Sequence, residues 1–428
     1  MRFLNTTTFE LEESSQANIH DNGYAIFSHR WLAEGEVEFE DLKKHIDELR
    51  SSTHSLPGVS KIHDACVAAR ARGFKWLWMD TCCIDKKKSD EYATAINSMF
   101  NWYRNAKLCI TFMADVKWRG SNAVSLGKEA FRSEKENESS AWFRRGWTLQ
   151  ELMASSHMEF YDMDWKCMGT KKELATALSD VTGIDKRFLT GEQDLSEASI
   201  AMKMSWMFGR ETGKPEDRAY SLLGLFNVKL HLAYGEGMAT AFRRLQEVIL
   251  ASPLMEESLF AWKMPDERAG DQCEAVTARW EPEQWGLLAG SPDWFKDSGD
   301  VQVDFDNDAQ VRSFRMTPKG IEGPFRIKQR KDPELKAWIT VLALSVVCIP
   351  FGNCLLRSKF ENNARKEYAF TLNCFRTDTQ ERRSYVEIYL LPIQISPVLT
   401  SEKRPDGGLV NAPYVEWNGI VYQPRLKY

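Results

Sequence analysis

A tryptophan and a carboxylate spaced four residues apart are the residues of this chain that most clearly could form a chemically active site. Within the segment Arg144-Arg-Gly-Trp-Thr-Leu-Gln-Glu-Leu152, Trp147 and Glu151 share one face of a predicted helix. An indole stacks on flat rings, and a carboxylate beside it stabilises positive charge that develops in a transition state. The spacing of an aromatic ring and a single acid is therefore typical of a small nucleotide-sugar site.

Two other segments are apolar runs that end in polar residues, as strands of a parallel sheet often do. They are Tyr24-Ala-Ile-Phe-Ser-His-Arg-Trp31 and Trp76-Leu-Trp-Met-Asp-Thr-Cys-Cys-Ile-Asp85. Open α/β sheets bind ligands outside the carboxyl ends of their strands, and the helix with Arg145 and Trp147 would aim its first turn at the same crevice. The candidate ligand-binding residues at the two strand ends are Ser28, His29, Arg30, Trp31, Asp80, Cys83 and Asp85.

This set of side chains suits the cleavage of a glycosidic bond to a charged base. The aromatic ring of Trp147 would stack on the leaving group, and Arg145 would hold phosphates. Glu151 would steady an oxocarbenium-like transition state. NAD+ fits this description as the substrate, because its nicotinamide is already cationic and leaves without a general acid. No separate cofactor is expected.

Each candidate also has a purely structural interpretation. Glu151 would be an exposed helix residue paired with Arg145, and Trp147 would anchor the core. The other polar candidates would serve as carbonyl-bonded, turn, cap or interior residues. These are His29, Asp80, Asp85, Cys82 and Cys83.

From Tyr24 to about Trp165, short apolar runs alternate with helical periods, which predicts a parallel α/β sheet. Helices are predicted between the strands, including one that Gly73 ends and one that Ser89 caps. A long polar stretch from Lys117 to Ser140 predicts a lid or a disordered loop. The four predicted strands are Tyr24–Ser28, Phe74–Asp80, Leu108–Met113 and His157–Tyr161.

The chain has 428 residues, which suggests two or three domains, and we predict three. Residues 1–170 would form the α/β domain, residues 171–265 a helical region and residues 266–428 a β-rich domain. The helices predicted for the middle region are Leu174–Val181, Ser196–Phe208, Pro215–Phe226 and Met238–Leu250. The strands predicted for the last region are Phe325–Lys328, Trp338–Cys348, Glu367–Cys374 and Tyr385–Leu391.

Composition argues against several classes of function. The formal charge of −5 and the lack of a long Lys/Arg stripe disfavour nucleic acid as a partner. No spacing of Cys, His or carboxylates predicts a metal site, and the nine cysteines show no disulfide framework. The polar N-terminal residues do not resemble a secretory signal, and the longest apolar run, Trp338–Phe351, is too short for a membrane span. We therefore expect a cytoplasmic protein.

Three motifs taken together resemble the fungal heterokaryon-incompatibility (HET) domain. They are Tyr24–Trp31, Trp76–Asp85 and Arg145–Glu151, which match the family's signature blocks in order and spacing. The resemblance covers roughly residues 20 to 263 and implies a role in nonself recognition that ends in cell death. Later segments similar to those of large HET proteins are Met204-Ser-Trp206, Pro215-Glu-Asp-Arg-Ala-Tyr220 and Tyr234-Gly-Glu-Gly237.

The HET domain is thought to be related to Toll-type (TIR) domains, some of which hydrolyse NAD+. The resemblance therefore implies a flavodoxin-like or TIR-like N-terminal domain. In plant TIR domains, the catalytic glutamate lies in a Ser-x-Trp-Cys-x-x-Glu-Leu block, and Trp147-Thr-Leu-Gln-Glu151-Leu152 is similar, with the same interval from tryptophan to glutamate. This likeness implies that Glu151 is catalytic. It also implies a homo-oligomer as the active form and an upstream sensor protein as a partner.

Two other functions fit the sequence. In the first, the same domain is a non-catalytic module that signals cell death by self-association, and the pocket residues are structural. In the second, Asp80 and Asp85 serve a metal-dependent hydrolase or nuclease, although these acids lack partners at suitable spacing.

Overall fold

The structure is a computed structural model, and its contacts divide the chain into two units. One unit comprises residues 1–198 and 206–248, and the other comprises residues 199–205 and 249–428. The division into three domains at residues 170 and 265 stays a prediction. The described residues are 1–13, 23–51, 54–120, 127–135, 138–253, 256–262, 288–303, 315–317, 320–322, 327–329, 368–377, 382–392, 415–417 and 420–427.

The first unit is built on a seven-stranded mixed sheet. Its strands are β1 Arg2–Asn5, β2 Leu11–Glu13, β3 Ala25–His29, β4 Trp76–Trp78, β5 Leu108–Phe112, β6 Met158–Tyr161 and β7 Cys167–Thr170. They lie in the order β2-β1-β4-β3-β5-β6-β7. Strands β4, β3, β5 and β6 run parallel, whereas β1, β2 and β7 pair antiparallel. The predicted α/β class is confirmed, and the four predicted strands form the parallel part of the sheet.

Apolar side chains on two long helices cover this sheet. The helix Pro57–Ala71 ends as predicted, because Gly73 has a φ of +84° and the Phe74 N–H donates back to the Ala69 carbonyl. The helix Ser89–Asn105 buries Ile96, Met99, Phe100 and Tyr103 along one face. Ser89 is the first helical residue rather than the N-cap, so that detail of the prediction is wrong.

The remaining helices of the first unit are short, apart from Met238–Leu250, which belongs to this unit up to Val248 and whose bounds match the prediction. The predicted helix Pro215–Phe226 is instead the helix Asp217–Tyr220 followed by a 3-10 turn, Leu223–Phe226. Gly224 in this turn packs so closely on Phe100 that no side chain would fit there. The other helices are Phe39–Leu42, Ile46–Leu49, Ala141–Arg144, Trp147–Ala154, Ala175–Thr182 and Lys186–Thr190.

The polar stretch from Lys117 to Ser140 is only partly described, and the described part packs against the sheet unit. Gly127–Phe131 forms a 3-10 helix, and the buried Phe131 ring contacts Phe143 with ring centroids 5.0 Å apart. Residues 121–126 and 136–137 lie outside the described residues. The prediction that this stretch acts as a lid stays a prediction.

The second unit contains a short helix and mostly antiparallel strands. Its helix Ile200–Ser205 is shorter than the predicted Ser196–Phe208, because Leu195–Glu197 forms a separate turn capped by Asp194. The predicted strand Trp338–Cys348 lies outside the described residues. Among the described residues, no helix combines the length and the apolar character that crossing a membrane requires. The strands are Gln302–Val303, Arg315–Thr317, Gly320–Glu322, Ile327–Gln329, Tyr368–Thr377, Arg383–Pro392, Val415–Trp417 and Ile420–Lys427.

Candidate functional site

The order of the parallel strands reverses at β3. Strand β3 has β4 on one side and β5 on the other, although both follow it in the chain. Ligand crevices of open α/β sheets form outside the carboxyl ends of the strands at such a reversal. The candidate site therefore lies around Ser28 and His29, the last two residues of β3.

The side chains of Ser28 and His29 point to opposite faces of the sheet, because successive side chains of a strand alternate in direction. Ser28 contacts the helix Trp147–Ala154, which we call the site helix. His29 stacks on the ring of Phe27, with ring centroids 4.6 Å apart. The two predicted ligand residues thus belong to two sides of the strand end.

Glu151 is buried between the site helix and strand β3. Ser28 Oγ donates a hydrogen bond to Glu151 Oε2, and Trp142 Nε1 donates to Ser28 Oγ at 3.0 Å. Glu151 is only 5% exposed, which excludes the interpretation as a surface residue paired with Arg145. The tip of the first parallel strand and the glutamate of the site helix are therefore in direct contact.

The environment of Glu151 favours its neutral form. Burial raises the pKa of this carboxyl group to about 8, while the hydrogen bond from Ser28 and the positive charge of Arg145 partly offset the effect of burial. The negative charge of Asp80 acts in the same direction as burial. A cation that approached Glu151 would lower its pKa, so the carboxylate would form more readily next to a positively charged ligand.

Charged side chains surround the indole of Trp31, which lies two residues beyond β3. Trp31 Nε1 donates a hydrogen bond to Asp80 Oδ2 at 2.8 Å. Lys86 Nζ lies 3.6 Å from the centroid of the Trp31 ring, and Arg145 Cζ lies 5.7 Å from it. The structure thus brings together three predicted residues, Trp31, Asp80 and Arg145, and adds Lys86 to them.

His29 is buried, and neither of its ring nitrogens has a hydrogen-bond partner among the described residues. Asp80 Oδ1 lies 3.9 Å from His29 Nε2, which is beyond hydrogen-bond distance. Burial holds the pKa of His29 well below its usual value, and Lys61, Arg145 and Lys86 add to this effect. A buried polar group without a hydrogen-bond partner lowers the stability of the folded state by about 1–3 kcal/mol. A ligand that hydrogen-bonded the neutral His29 ring would remove this cost.

Trp147 connects the site helix to the helix Asp217–Tyr220, and through Asp217 to Tyr234. Its Nε1 donates a hydrogen bond to Asp217 Oδ2 at 3.2 Å, and the hydroxyl of Tyr234 donates to Asp217 Oδ1 at 2.8 Å. Trp147 is half-buried, so part of its ring is open to solvent. The indole is therefore positioned by Asp217, one helical turn away from Glu151.

We expect Asp217→Asn to loosen Trp147. An asparagine presents one oxygen and one NH2 group where the carboxylate presents two oxygens, so either the Trp147 N–H or the Tyr234 hydroxyl loses its acceptor. The free energy of unfolding should fall by about 1–2 kcal/mol, and the tryptophan emission should shift to longer wavelength. Asp47→Asn at an exposed position is the control. Equal stability and emission in both variants would contradict the assigned role of Asp217.

Three predicted site residues have other surroundings. Arg30 is exposed. Asp85 stabilises a turn, because its Oδ1 accepts a hydrogen bond from Lys87 N at 3.2 Å and its Oδ2 lies 3.3 Å from Lys88 Nζ. Cys83 lines a cavity of about 310 Å³ that none of the other predicted site residues lines. The structure does not group these three with Glu151.

Several residues of the site are missing from the sequence prediction. Trp142 contacts Ser28, and the buried pair Lys61 and Glu36 holds the chain after β3, because Glu36 Oε2 also accepts a hydrogen bond from Leu32 N at 2.8 Å. Their partners are distant in sequence, so no local spacing signals them. Asp217 belongs to a motif that the sequence does mark, although its link to Trp147 required the structure.

Within the part of the chain that the structure describes, no group of three or more His, Cys, Asp or Glu side chains is arranged to hold a metal ion. Asp80 accepts a hydrogen bond from Trp31, and Asp85 is held in its turn by Lys87 and Lys88. The two carboxylates considered for a metal-dependent hydrolase therefore have separate protein partners.

Comparisons with known proteins point to one family for the N-terminal part of the chain. Residues 24–138 match the family model "Heterokaryon incompatibility protein (HET)". The vegetative incompatibility protein HET-E-1 of Podospora anserina is 42% identical over 229 residues, which are 53% of this chain and 16% of that protein. No solved structure matches significantly. The region of this chain that contains β3, β4 and β5 is therefore similar to heterokaryon incompatibility proteins.

Proposed function

We propose that the first unit of this chain acts in heterokaryon incompatibility, as a cytoplasmic module of nonself recognition that leads to regulated cell death. The family match over residues 24–138 and the similarity to a vegetative incompatibility protein support this role. The chain spans about a sixth of that relative's length, so the proposal concerns this unit and not the activity of the whole relative. An upstream sensor protein would supply the trigger.

We further propose that the unit hydrolyses NAD+ to nicotinamide and ADP-ribose. The observation that carries this proposal is the buried Glu151 carboxyl group, bonded to Ser28 where the strand order reverses. If the parallel strands are numbered along the chain, their order in the sheet is 2-1-3-4. The flavodoxin-like order, 2-1-3-4-5, starts in the same way. This order supports a flavodoxin-like or TIR-like sheet.

In the proposed reaction, the bond between the ribose C1′ and the nicotinamide nitrogen breaks. The bonding electron pair stays on nicotinamide, which leaves as a neutral molecule. The ionised Glu151 stabilises the positive charge on the ribose and hydrogen-bonds its hydroxyl groups. A water oxygen then bonds to C1′ and releases a proton, which gives ADP-ribose. Trp31 and Trp147 offer rings for stacking, and Arg145 offers a positive charge for the phosphates.

Access to Glu151 requires rearrangement of its surroundings, because the residue is only 5% exposed. Lys86 and Arg145 also lie over the Trp31 ring, so they would have to move before a base could stack on that face. Self-association is a source of such a change, so we propose that the active form is a homo-oligomer. Specific activity should then rise with protein concentration, and a fully active dilute monomer would contradict this.

The test of the proposed reaction is nicotinamide release from NAD+ by the purified full chain. We expect Glu151→Gln to lower the rate at least about 100-fold, because an amide cannot carry the negative charge that the transition state requires. Glu192→Gln, the same change at an exposed position, is the matched control. Equal release by wild type and Glu151→Gln, under conditions that permit oligomers, would refute NAD+ cleavage at this site.

A non-catalytic, self-associating signalling module is the second candidate function. The low exposure of Glu151 supports this alternative, because a structural residue needs no access to a ligand, whereas its hydrogen bond to Ser28 suits both candidates. Overproduction in cells separates the two candidates. If Glu151→Gln kills cells as wild type does, the signal does not depend on catalysis, whereas loss of killing with a folded variant supports the enzyme.

A further inference from the structure

Two tyrosine rings form a stacked pair beside the site helix. Tyr92, near the start of the helix Ser89–Asn105, and Tyr234 have ring centroids 6.0 Å apart and ring planes inclined by 27°. The Tyr234 hydroxyl donates a hydrogen bond to Asp217, which also accepts from Trp147, and its oxygen lies 3.3 Å from the Tyr92 hydroxyl oxygen. Both rings are half-buried, so each keeps part of its surface open.

The backbone around Tyr234 is held in place by hydrogen bonds. Glu216 Oε1 accepts from both Gly235 N and Gly237 N at 2.9 Å, and these glycines have φ values of +97° and +81°. The Tyr220 hydroxyl accepts a hydrogen bond from Ala233 N at 2.9 Å on the other side. The position of the Tyr234 ring is therefore fixed before any ligand binds, which lowers the entropic cost of stacking against it.

Positive charge accompanies the tyrosine pair. Lys214 Nζ lies 3.8 Å from the Tyr234 ring centroid and 5.5 Å from that of Tyr92. Lys214 is exposed, and its charge also acts on the carboxylates of Glu216 and Asp217. The charge of Arg145 acts on both Tyr92 and Glu151, so its guanidinium group lies near both residues.

Trp147 lies between the two tyrosines and the proposed reaction site at Glu151. Its indole contacts Asp217, and Glu151 lies four residues later on the same helix face. The half-open tyrosine rings therefore lie on the far side of Asp217 from Trp147, and Trp147 is one helical turn from Glu151. A ligand that carried a second flat base and phosphates would reach from one to the other.

We propose that Tyr92 and Tyr234 form a second base-binding subsite, which stacks on the adenine of a dinucleotide whose scissile end lies at Glu151. Arg145 and Lys214 then contact the phosphates, and Lys214 leaves the face of Tyr234 when the base binds. The inference rests on the proposed NAD+ cleavage. It adds that the protein also recognises the adenine end of the substrate, so a mononucleotide with the same scissile bond is bound less tightly.

The first test compares NAD+ with nicotinamide mononucleotide as substrates of the full chain. Tyr92→Leu removes a ring, whereas Tyr92→Phe keeps the ring and loses only the hydroxyl group. Since a base gains binding energy by stacking on an aromatic side chain, Tyr92→Leu should raise the KM for NAD+ about tenfold. Tyr92→Phe should stay within about twofold of wild type, and the KM for the mononucleotide should be equal in all three proteins. Equal effects of Tyr92→Leu on both substrates, or none on either, would overturn the proposal.

The second test measures binding without any reaction. Glu151→Gln is titrated with ADP, which has the base and phosphates but lacks the scissile bond, and the Kd is compared with that of the double variant with Tyr92→Leu. We expect the double variant to bind about tenfold more weakly, with melting temperature as the check on folding. No binding, or equal binding, overturns the subsite. If ADP binds as expected while NAD+ is not cleaved, the proposed reaction fails and the nucleotide subsite stands.

Discussion

Replacing Glu151 with glutamine is expected to stabilise the first unit by an amount that grows with pH. Burial raises the folded-state pKa of this carboxyl group to about 8, whereas an unfolded glutamate has its ordinary value of about 4.3. Between these values the folded state binds more protons than the unfolded state, so its stability falls as the pH rises. In wild type, the protonated Glu151 therefore makes its full contribution to the free energy of unfolding below about pH 4, and this contribution is lost as the pH rises to about 8. Glutamine stays neutral throughout.

The quantity to measure is the difference in unfolding free energy between Glu151→Gln and wild type, by denaturant titration at several pH values. At about 1.36 kcal/mol per pKa unit, this difference should rise by about 3–5 kcal/mol between pH 4.5 and pH 8, and then level off. Other titrating groups, such as Lys171, whose pKa burial lowers to about 8, are common to both proteins and cancel in the difference. A difference independent of pH would show that Glu151 is not held neutral by burial.

The strands and the main site contact could be predicted because both leave local signals in the sequence. Strands β3 and β5 are apolar runs bounded by polar residues, and Trp147 and Glu151 have helical spacing. Strand order in a doubly wound sheet then places Ser28 close to the site helix. The periodicity of the apolar residues and one topological rule are therefore enough to predict that Ser28 and Glu151 lie close together.

The partners of these residues could not be predicted, since they depend on packing between distant segments. Trp142 contacts Ser28 across 114 residues of sequence, and Asp217 contacts Trp147 across 70. Nothing in the local pattern distinguishes these side chains from others of the same type. The opposite orientations of Ser28 and His29, by contrast, follow from the alternation of side chains in a strand. The sequence prediction of one shared crevice left that alternation out.

The second large effect expected of the proposed enzyme is a rise of kcat/KM with pH. The reaction uses the ionised carboxylate, and kcat/KM reports the free enzyme, in which the pKa of Glu151 is about 8. Below that pH, kcat/KM should increase about tenfold for each pH unit, and above it the profile should level off. The measurement is initial nicotinamide release at low NAD+ concentration, with Glu151→Gln at each pH as the correction for spontaneous decay.

The profile of kcat should have its bend at a lower pH than that of kcat/KM. The nicotinamide of bound NAD+ is cationic, and a nearby positive charge favours the ionised carboxylate, so the pKa of Glu151 falls in the complex. Ser28→Ala should move the bend in kcat/KM to higher pH, because the hydrogen bond from Ser28 lowers the pKa of Glu151. A flat profile, or a bend near the ordinary glutamate pKa that Ser28→Ala does not move, would show that the group controlling the rate is not this buried carboxyl.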